Sequence, residues 1–407
     1  MKRVVVTGMS AITALGQDWE SFKANLQNGQ SAIKQMPEWA EVAELNTQVA
    51  APVEDFEKPK HYKRKMIRSM GRVALMSTVA TEKALAQAGL LQHESLTNGD
   101  TGVSYGSSSG STAPTVEFGK LLSNKDMSGI TATSYIQMMA HTTAVNIGVF
   151  FGAKGRVVTT SSACTSGSQG IGYAYEAIQS GRQKVMIAGG AEELCVSGAA
   201  VFDTLYATST KLAPENTPRP FDKARDGLVI GEGAGTLILE ELEFAKARGA
   251  TILAEVVGFG TNSDGQHITQ PTSVTMEEAM RLALRDAQLQ PEQISYVNAH
   301  GTATDRGDIA ESHATFSVFG EKPISSLKSY LGHTLGACGA IEAWACINML
   351  NSNWCAPTLN LTEVDPECAP LHYVTGQGEQ RNMDYVMSNN FAFGGINTSL
   401  IFKKYNA

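Results

Sequence analysis

A cysteine lies in a turn of small residues between an expected strand and an expected helix. Cys164 follows the valine-rich run at residues 156–159, and Ile171, Tyr175 and Ile178 come after it at helical spacing. A position near a helix N-terminus exposes a thiol to unpaired backbone N–H groups and to the helix dipole, both of which lower its pKa. The small neighbours leave room for a bulky substrate and let a backbone N–H point at a developing oxyanion. The segment therefore predicts a nucleophile, and the alternative is a buried, inert cysteine.

Two histidines have a similar setting. His300 directly follows an expected strand, and His333 lies where a loop enters an apolar helix. Loops at strand ends are where α/β proteins place catalytic groups. Each histidine alone is also explained as a structural residue, but with Cys164 they form a candidate nucleophile with acid/base or electrostatic partners. The loop at residues 389–397 holds two aromatic rings between small residues, which indicates either a tight turn or a mobile wall of an apolar pocket.

The elements that must position these residues occur in two copies. Helices are expected at residues 67–88 and 276–287, and each leads into a strand and a polar turn, about 200 residues apart. The repeat predicts a duplicated α/β core. We expect the two halves, residues 1–250 and 251–407, to meet near a helix C-cap at Gly249 and to pack intimately. Expected strands cover residues 4–6, 101–105, 156–159, 184–188, 235–240, 252–257, 295–299 and 385–388.

The composition restricts the chain to a compact α/β protein. Of its 407 residues 43% are apolar and 18% are charged, which excludes a disordered chain, a coiled coil and a collagen-like fibre. The 32 Lys and Arg against 40 Asp and Glu give a net charge of −8, so we expect no nucleic acid partner and only local basic patches. The apolar stretch at 331–350 carries His333 and Glu342, which argues against a membrane span. The six cysteines form no CxxC pair, so we expect reduced thiols, a cytoplasmic protein and no metal.

These motifs together resemble one family. Over essentially the whole chain the sequence is similar to the β-ketoacyl-[acyl carrier protein] synthases, the condensing enzymes of fatty acid and polyketide synthesis. The resemblance implies the family's α/β thiolase-like fold, with two α-β-α-β-α halves built on mixed five-stranded sheets, which also explains the duplication. It rests on six motifs in order, at residues 162–164, 225–235, 300–304, 328–333, 357–361 and 391–395.

The resemblance implies a decarboxylative Claisen condensation. Cys164 would hold the growing acyl chain as a thioester, and malonyl-acyl carrier protein would lose CO2 and extend that chain by two carbons. His300 and His333 would act as neutral N–H donors to the enolate oxygen. The backbone N–H groups of Cys164 and Phe393 would form the oxyanion hole, and Phe391 would belong to the gating loop beside it.

Further roles follow from the same resemblance. Lys328 and Glu342 match a buried pair that orients His333, and Thr302 and Thr304 match positions that hold the phosphopantetheine arm. No diffusible cofactor is implied, because this arm arrives on the carrier protein. Family members associate, so a homodimer or a heterodimer with a related ketosynthase-like subunit is expected.

The basic run at residues 58–68 gains a meaning from the resemblance. An acidic carrier protein needs a local basic docking patch on an otherwise acidic enzyme, and Lys65 and Arg68 match the contact positions best.

Three positions depart from the family pattern. Ala392 replaces a usual glycine of the gating loop, Ser109 stands where a larger apolar residue limits chain length in some relatives, and residues 305–308 continue the His300 motif in an uncommon way. Ser109 predicts a deeper or more polar acyl pocket. The departures leave two pathways open, a housekeeping one and a specialised one such as aryl polyene synthesis.

Two other functions compete with this one. The first is a thiolase-like enzyme acting on coenzyme A thioesters, which would need a second catalytic cysteine where this chain has the His333 loop. The second is a non-catalytic partner subunit of a ketosynthase heterodimer, and the presence of Cys164 argues against it.

Overall fold

The structure is a computed structural model that describes residues 1–406. Its strands are β1 (Val4–Ile12), β2 (Lys34–Gln35), β3 (Val49–Ala50), β4 (Thr101–Gly106), β5 (Val157–Thr160), β6 (Val185–Glu192), β7 (Gly233–Glu241), β8 (Ala254–Ser263), β9 (Tyr296–Asn298), β10 (Pro323–Ser325), β11 (Trp354–Cys355), β12 (His372–Tyr373), β13 (Glu379–Gln380), β14 (Tyr385–Phe391) and β15 (Ile396–Lys404). Its α-helices are α1 (Trp19–Gln27), α2 (Arg64–Ile67), α3 (Arg72–Gln87), α4 (Ala113–Asn124), α5 (Ser134–Met138), α6 (Thr142–Phe151), α7 (Ser166–Gln179), α8 (Val196–Asp203), α9 (Leu242–Ala247), α10 (Ser273–Ala287), α11 (Asp305–Phe319), α12 (Lys328–Leu331) and α13 (Cys338–Ser352).

The main sheet repeats one five-stranded pattern. In the first half the order is β5-β4-β6-β7-β1, and in the second half β10-β9-β14-β15-β8 takes the same order. In both halves the first three strands are parallel and the last two pairings are antiparallel. The predicted duplicated thiolase-like fold is confirmed. The two halves are joined edge to edge, because β1 also pairs with β8, and the short β12 extends the far edge.

Two central helices lie between the halves. Helices α7 and α13 contact each other, and each also contacts strands of both halves, whereas α3 packs on β1 and β7 and α10 on β8 and β15. Almost every residue of α13 is buried, as expected for a helix that is apolar all round. The layers are therefore α-β-α-β-α, and the starts of α7 and α13 meet at the centre. One apolar cluster contains residues of both halves, so they share a core, and the domain boundary at residue 250 stays a prediction.

The helix expected at residues 67–88 is two helices. Helix α2 ends at Ile67 and α3 begins at Arg72, after Gly71, whose backbone is extended. A Cβ at Gly71 would lie 2.0 Å from Ser111 Oγ, so the chain passes Ser111 too closely for a side chain, and the continuous helix was wrong at this point. The strands β10 and β15 were also not predicted.

Two further features concern the whole described chain. Within residues 1–406, all six cysteines are free thiols. No helix in that range is long and apolar enough to cross a membrane.

Candidate active site

Cys164 lies in a sharp turn between β5 and α7. The turn is a short 3₁₀ segment, Ala163–Thr165, and Ala163 has a φ of 50°, a left-handed conformation that a residue with a side chain rarely adopts. Ser166 closes the turn, because its Oγ donates to the Ala163 carbonyl at 2.7 Å and accepts from the Ser162 N–H at 3.0 Å. Cys164 is 3% exposed and lines a cavity, so the turn directs the thiol inward.

His333 faces the Cys164 thiol. It follows α12 through Gly332, whose φ is 64°, and its own backbone N–H donates to the Val229 carbonyl at 2.6 Å. The Leu335 N–H donates to His333 Nδ1 at 3.3 Å, so Nδ1 accepts and the ring proton belongs on Nε2. Nε2 lies 2.9 Å from Cys164 Sγ. The turn after α12 therefore presents an N–H donor to the cavity.

His300 completes the group from the end of β9. A buried carboxyl group fixes its loop, since the backbone N–H groups of His300 and Gly301 donate to Glu311 Oε1 and Oε2 at 2.8 and 2.7 Å. The His300 and His333 rings are 5.1 Å apart and almost perpendicular. One side-chain atom from each of Cys164, His300 and His333 lies within 4.8 Å of the others. The structure thus brings the predicted trio together.

Burial sets the protonation of these three groups. Desolvation raises the pKa of Cys164 to about 11, although Lys328 and the backbone N–H of Phe393 lower it. The expected lowering of this pKa was wrong, because desolvation of the buried thiol outweighs Lys328 and the backbone N–H groups. Desolvation and the nearby Lys328 charge hold the pKa values of both histidines well below their usual range. The site therefore holds a thiol and two neutral imidazoles at neutral pH.

A buried ion pair lies beside the trio. The Lys328 ammonium donates to Glu342 Oε1, both side chains are almost fully enclosed, and Asn390 Nδ2 donates to Glu342 Oε2 at 2.6 Å. Burial alone would lower the pKa of Lys328, but the Glu342 carboxylate outweighs burial and raises it. Burial raises the pKa of Glu342 despite the ammonium. Lys328 therefore stays charged, and its charge adds to the desolvation that keeps both histidines neutral.

The loop between β14 and β15 supplies the opposite wall. Phe391 ends β14, is buried, and lies 6.2 Å from the His300 ring, while Phe393 stacks 5.3 Å from Phe202. The backbone N–H groups of Phe393 and Cys164 both lower the pKa of the Cys164 thiol. Their role as an oxyanion hole for a thioester on this sulfur stays a prediction.

The trio opens into a cavity of about 430 Å³. Thr302 and Thr304 line it above His300, with their hydroxyl oxygens 2.9 Å apart. The residues at 264–271 form the facing wall, and the Ile268 carbonyl accepts from the Gly394 N–H at 2.8 Å. The cavity is thus a channel from the surface to Cys164.

Sulfur and two imidazoles at this spacing would also suit a zinc ion. A metal needs a free lone pair on the ring nitrogen that faces it, however, and the Leu335 N–H already occupies Nδ1 of His333. The nitrogen facing Cys164 consequently carries a proton, which fits hydrogen-bond donation better than metal binding.

Comparisons with known proteins agree with this geometry. The family models "Beta-ketoacyl synthase, N-terminal domain" and "Beta-ketoacyl synthase, C-terminal domain" match residues 1–245 and 253–362. The chain belongs to the β-ketoacyl synthase family. Among relatives of this synthase, the 3-oxoacyl-[acyl-carrier-protein] synthase 1 of Haemophilus influenzae is 37% identical over all of both chains.

Solved structures place this synthase with further relatives. A β-ketoacyl synthase from Burkholderia phymatum STM815 is 61% identical with a TM-score of 0.99, and both chains are fully covered. The ishigamide ketosynthase/chain length factor is 31% identical with a TM-score of 0.90, also over the full length of both chains.

Three residues predicted to act in this synthase lie away from the cavity. Ser109 is exposed, its Oγ lies 3.3 Å from Glu192 Oε1, and it does not line the cavity, so its place in an acyl pocket stays a prediction. Lys65 and Arg68 lie on the surface at and just after α2. Their role in docking is likewise a prediction.

Two buried carboxylates were missed. Glu311 holds the His300 loop, and desolvation raises its pKa to about 8. Glu192 ties the two halves together, because it accepts from the Ser108 N–H at 2.7 Å and from the Gly336 N–H at 3.1 Å. The Asp308/Glu311 spacing of three places both on one face of α11, which could have indicated Glu311, whereas Glu192 left no signal.

Proposed function

We propose that this synthase condenses malonyl-acyl carrier protein with an acyl chain held on Cys164, giving 3-oxoacyl-acyl carrier protein and CO2. The supporting observation is the thiol that faces two neutral imidazoles at the base of a channel. A hydrolase would need a base to activate water, whereas His333 turns its protonated Nε2 toward Cys164, which suits a reaction that develops charge on oxygen.

In the first half-reaction Cys164 takes the acyl group. The sulfur attacks the thioester carbonyl of the acyl-carrier protein, a new S–C bond forms, and the bond to the pantetheine sulfur breaks. The N–H groups of Cys164 and Phe393 stabilise the tetrahedral oxyanion. Because the pKa of Cys164 is raised, its proton is present at neutral pH and leaves with the pantetheine thiol.

In the second half-reaction the carbon–carbon bond forms. The malonyl carboxylate leaves as CO2, and its electron pair becomes an enolate whose oxygen accepts hydrogen bonds from His300 and His333. The enolate carbon attacks the acyl carbonyl, the bond to Cys164 breaks, and the sulfur takes one proton from water, which balances the loss of the malonyl carboxylate as CO2. Donors aimed at an oxygen that is charged only near the transition state lower the barrier without tightening substrate binding equally.

The neighbouring groups position this chemistry. Lys328 and Glu342 keep His333 oriented and neutral, Phe391 borders the gate, and the hydroxyls of Thr302 and Thr304 face the arm that carries the substrate. The reaction uses no metal and no diffusible cofactor, since the phosphopantetheine is part of the substrate. Free thiols suit a cytoplasmic location.

The carrier protein docks near α2. The Lys and Arg side chains of residues 58–68, including Lys65 and Arg68, form no ion pair within the described chain, although the whole protein has a net charge of −8. A negative partner would therefore find an uncompensated positive patch there. The Haemophilus relative is named for an acyl-carrier protein, and an acidic carrier of that kind fits this requirement.

A second thiolase-like subunit pairs on the edge strand β5. This strand ends the sheet, and Val157 is 47% exposed on it, so its backbone and apolar side chains are available to another edge. The partner is a second copy of this chain or a related subunit, as in the ketosynthase/chain length factor relative.

The test supplies acyl-carrier proteins, saturated and polyunsaturated, together with malonyl-carrier protein. Intact-mass spectrometry is expected to show an acyl adduct on Cys164 and a product longer by two carbons. The preferred chain would separate a housekeeping role from a specialised one such as aryl polyene synthesis. Turnover of coenzyme A thioesters alone, or no adduct with any carrier, would contradict the proposal.

A further inference from the structure

One cation stands at the mouth of the channel without a partner. Arg306 is the sole Lys or Arg among the described residues that line the cavity, and its side chain is exposed. No ion pair of residues 1–406 includes it. The two exposed carboxylates of the lining already pair with other cations, Asp305 with Arg225 at 3.3 Å and Asp226 with Lys211 at 2.9 Å.

The residues that lead to Arg306 form a path out of the active site. His300 is 7% exposed and Thr302 8%, Thr304 is half-buried, and Arg306 is exposed. All four line the same cavity. The path thus runs from a neutral imidazole beside the thiol, through two hydroxyls, to a positive charge at the surface.

A pantetheine thioester has the complementary order of groups. Its thioester must reach Cys164, its amides follow, and its single phosphate lies at the opposite end. Arg306 is also the second residue of α11, where unpaired backbone N–H groups and the helix dipole favour an anion. Guanidinium groups bind phosphate oxygens through paired N–H donors.

We propose that Arg306 binds the phosphate of the phosphopantetheine arm at the mouth of the channel. This proposal rests on the proposed function and adds a substrate-binding residue to it. Neutral amides and hydroxyls alone cannot distinguish a phosphorylated arm from an unphosphorylated one, whereas a guanidinium at the mouth can.

The test compares octanoyl-pantetheine with octanoyl-4′-phosphopantetheine, which differ by the phosphate alone. Acylation of Cys164 in the full-length protein is followed by intact mass. We expect the KM of the wild type to be about three- to tenfold lower for the phosphorylated donor, with kcat unchanged, as for one partly exposed charged contact. In Arg306→Gln the preference should vanish, and Arg306→Lys should restore part of it.

Arg182→Gln is the matched control. Arg182 is exposed, lies outside the cavity and enters no ion pair of the described residues, so its loss should leave the preference intact. Raising the salt concentration should narrow the preference of the wild type. Equal use of both donors by the wild type, or an undiminished preference in Arg306→Gln, would overturn the proposal.

Two more acyl donors distinguish a failure of the Arg306 proposal from a failure of the proposed function. Acyl-carrier protein and acyl-coenzyme A carry the same phosphate from two sources, and the carrier is expected to have the lower KM. A lower KM for coenzyme A would assign the phosphate contact to a different donor and overturn the proposal as stated. If acyl-carrier protein acylates the wild type but the phosphate has no effect, only the Arg306 proposal fails. If no donor acylates it, both fail.

Discussion

Two turns at equivalent places in the two halves have nearly the same backbone but different uses. Ala163 and Leu335 have φ values of 50° and 49°, and each turn passes through a 3₁₀ segment into a central helix. Counting from these residues, Gly336 corresponds to Cys164. A Cβ at Gly336 would lie 2.7 Å from Glu192 Oε2, so the second turn has no space for a side chain. Duplication therefore supplies two helix starts, and packing decides which one carries chemistry.

The residues just before the second turn have taken another role. His333 precedes Leu335 by two residues and points across to the first turn, where its Nε2 meets the thiol. His300 reaches the same point from the end of β9. The nucleophile thus belongs to the first half and both N–H donors to the second, so neither half is complete alone.

The largest effect should come from the loss of Cys164, with Cys338 as the control. Cys164→Ala should abolish the acyl adduct and reduce extension by at least about 10³-fold, because no other thiol reaches the cavity. Cys338, the first residue of α13, is buried and does not line the cavity, so Cys338→Ala should still be acylated. Intact mass checks both. An adduct on Cys164→Ala would break the assignment of the nucleophile to the first half.

The histidine variants test which of the two half-reactions His300 and His333 serve. His300→Ala and His333→Ala should each reduce two-carbon extension by about 10²- to 10³-fold, since each removes one donor to the enolate oxygen. Acylation of Cys164 should fall by less than about tenfold, because its oxyanion uses backbone N–H groups. Single-turnover assays separate the two steps. Equal losses in both steps would mean that the histidines serve the nucleophile rather than the enolate.

A smaller effect tests why the second turn has a glycine, Gly336, at the position that corresponds to Cys164. Gly336→Ala should lower the free energy of unfolding by about 1–3 kcal/mol, because the added Cβ meets Glu192 and the Ser108 backbone. Gly119→Ala is a suitable control, as its Cβ would meet nothing within 4 Å. Urea unfolding measures both. No difference between the variants would show that packing does not exclude a side chain from this turn.

The smallest effect concerns pH. Burial raises the folded pKa of Glu311 to about 8, above its unfolded value, so the folded state retains a proton that the unfolded state releases. This contribution is fully present below the unfolded pKa, near 4.5, and is lost as the pH rises to 8. Between these limits the wild type should lose at least about 1 kcal/mol more stability than Glu311→Gln, which cannot titrate. Parallel unfolding curves across this range would contradict the raised pKa.

The sequence predicted α10 and most of the long strands, but it missed β10, β15 and the break between α2 and α3. Helix periodicity found α10, and valine runs found most of the long strands, because apolar side chains repeat at the period of the element they build. The strand β10 has three residues, too few for a pattern, and β15 was hidden by the aromatic turn before it. The break at Gly71 depends on Ser111, a contact far along the chain that no local pattern contains.

Some features of the site were likewise predictable from the sequence and others were not. Cys164, His300 and His333 were predictable, since small residues around a reactive side chain are a local signal. The raised pKa of Cys164 was not predictable. A helix start lowers the pKa of a thiol whereas burial raises it, and burial depends on the whole fold. Glu192 accepts from the backbone N–H of Ser108, which is distant in the sequence, so no local spacing reveals it, whereas the Asp308/Glu311 spacing was a signal that could have indicated Glu311.

The most direct measurement is one turnover with malonyl-carrier protein labelled with ¹³C in its free carboxyl group. Protein acylated on Cys164 is mixed with this donor, and labelled CO2, the acyl adduct and the product are quantified together. Decarboxylative condensation on Cys164 predicts one ¹³CO2 and one 3-oxoacyl-carrier protein for each adduct that disappears. Loss of the adduct without CO2, or CO2 release with the adduct intact and no extended product, would contradict decarboxylative condensation on Cys164.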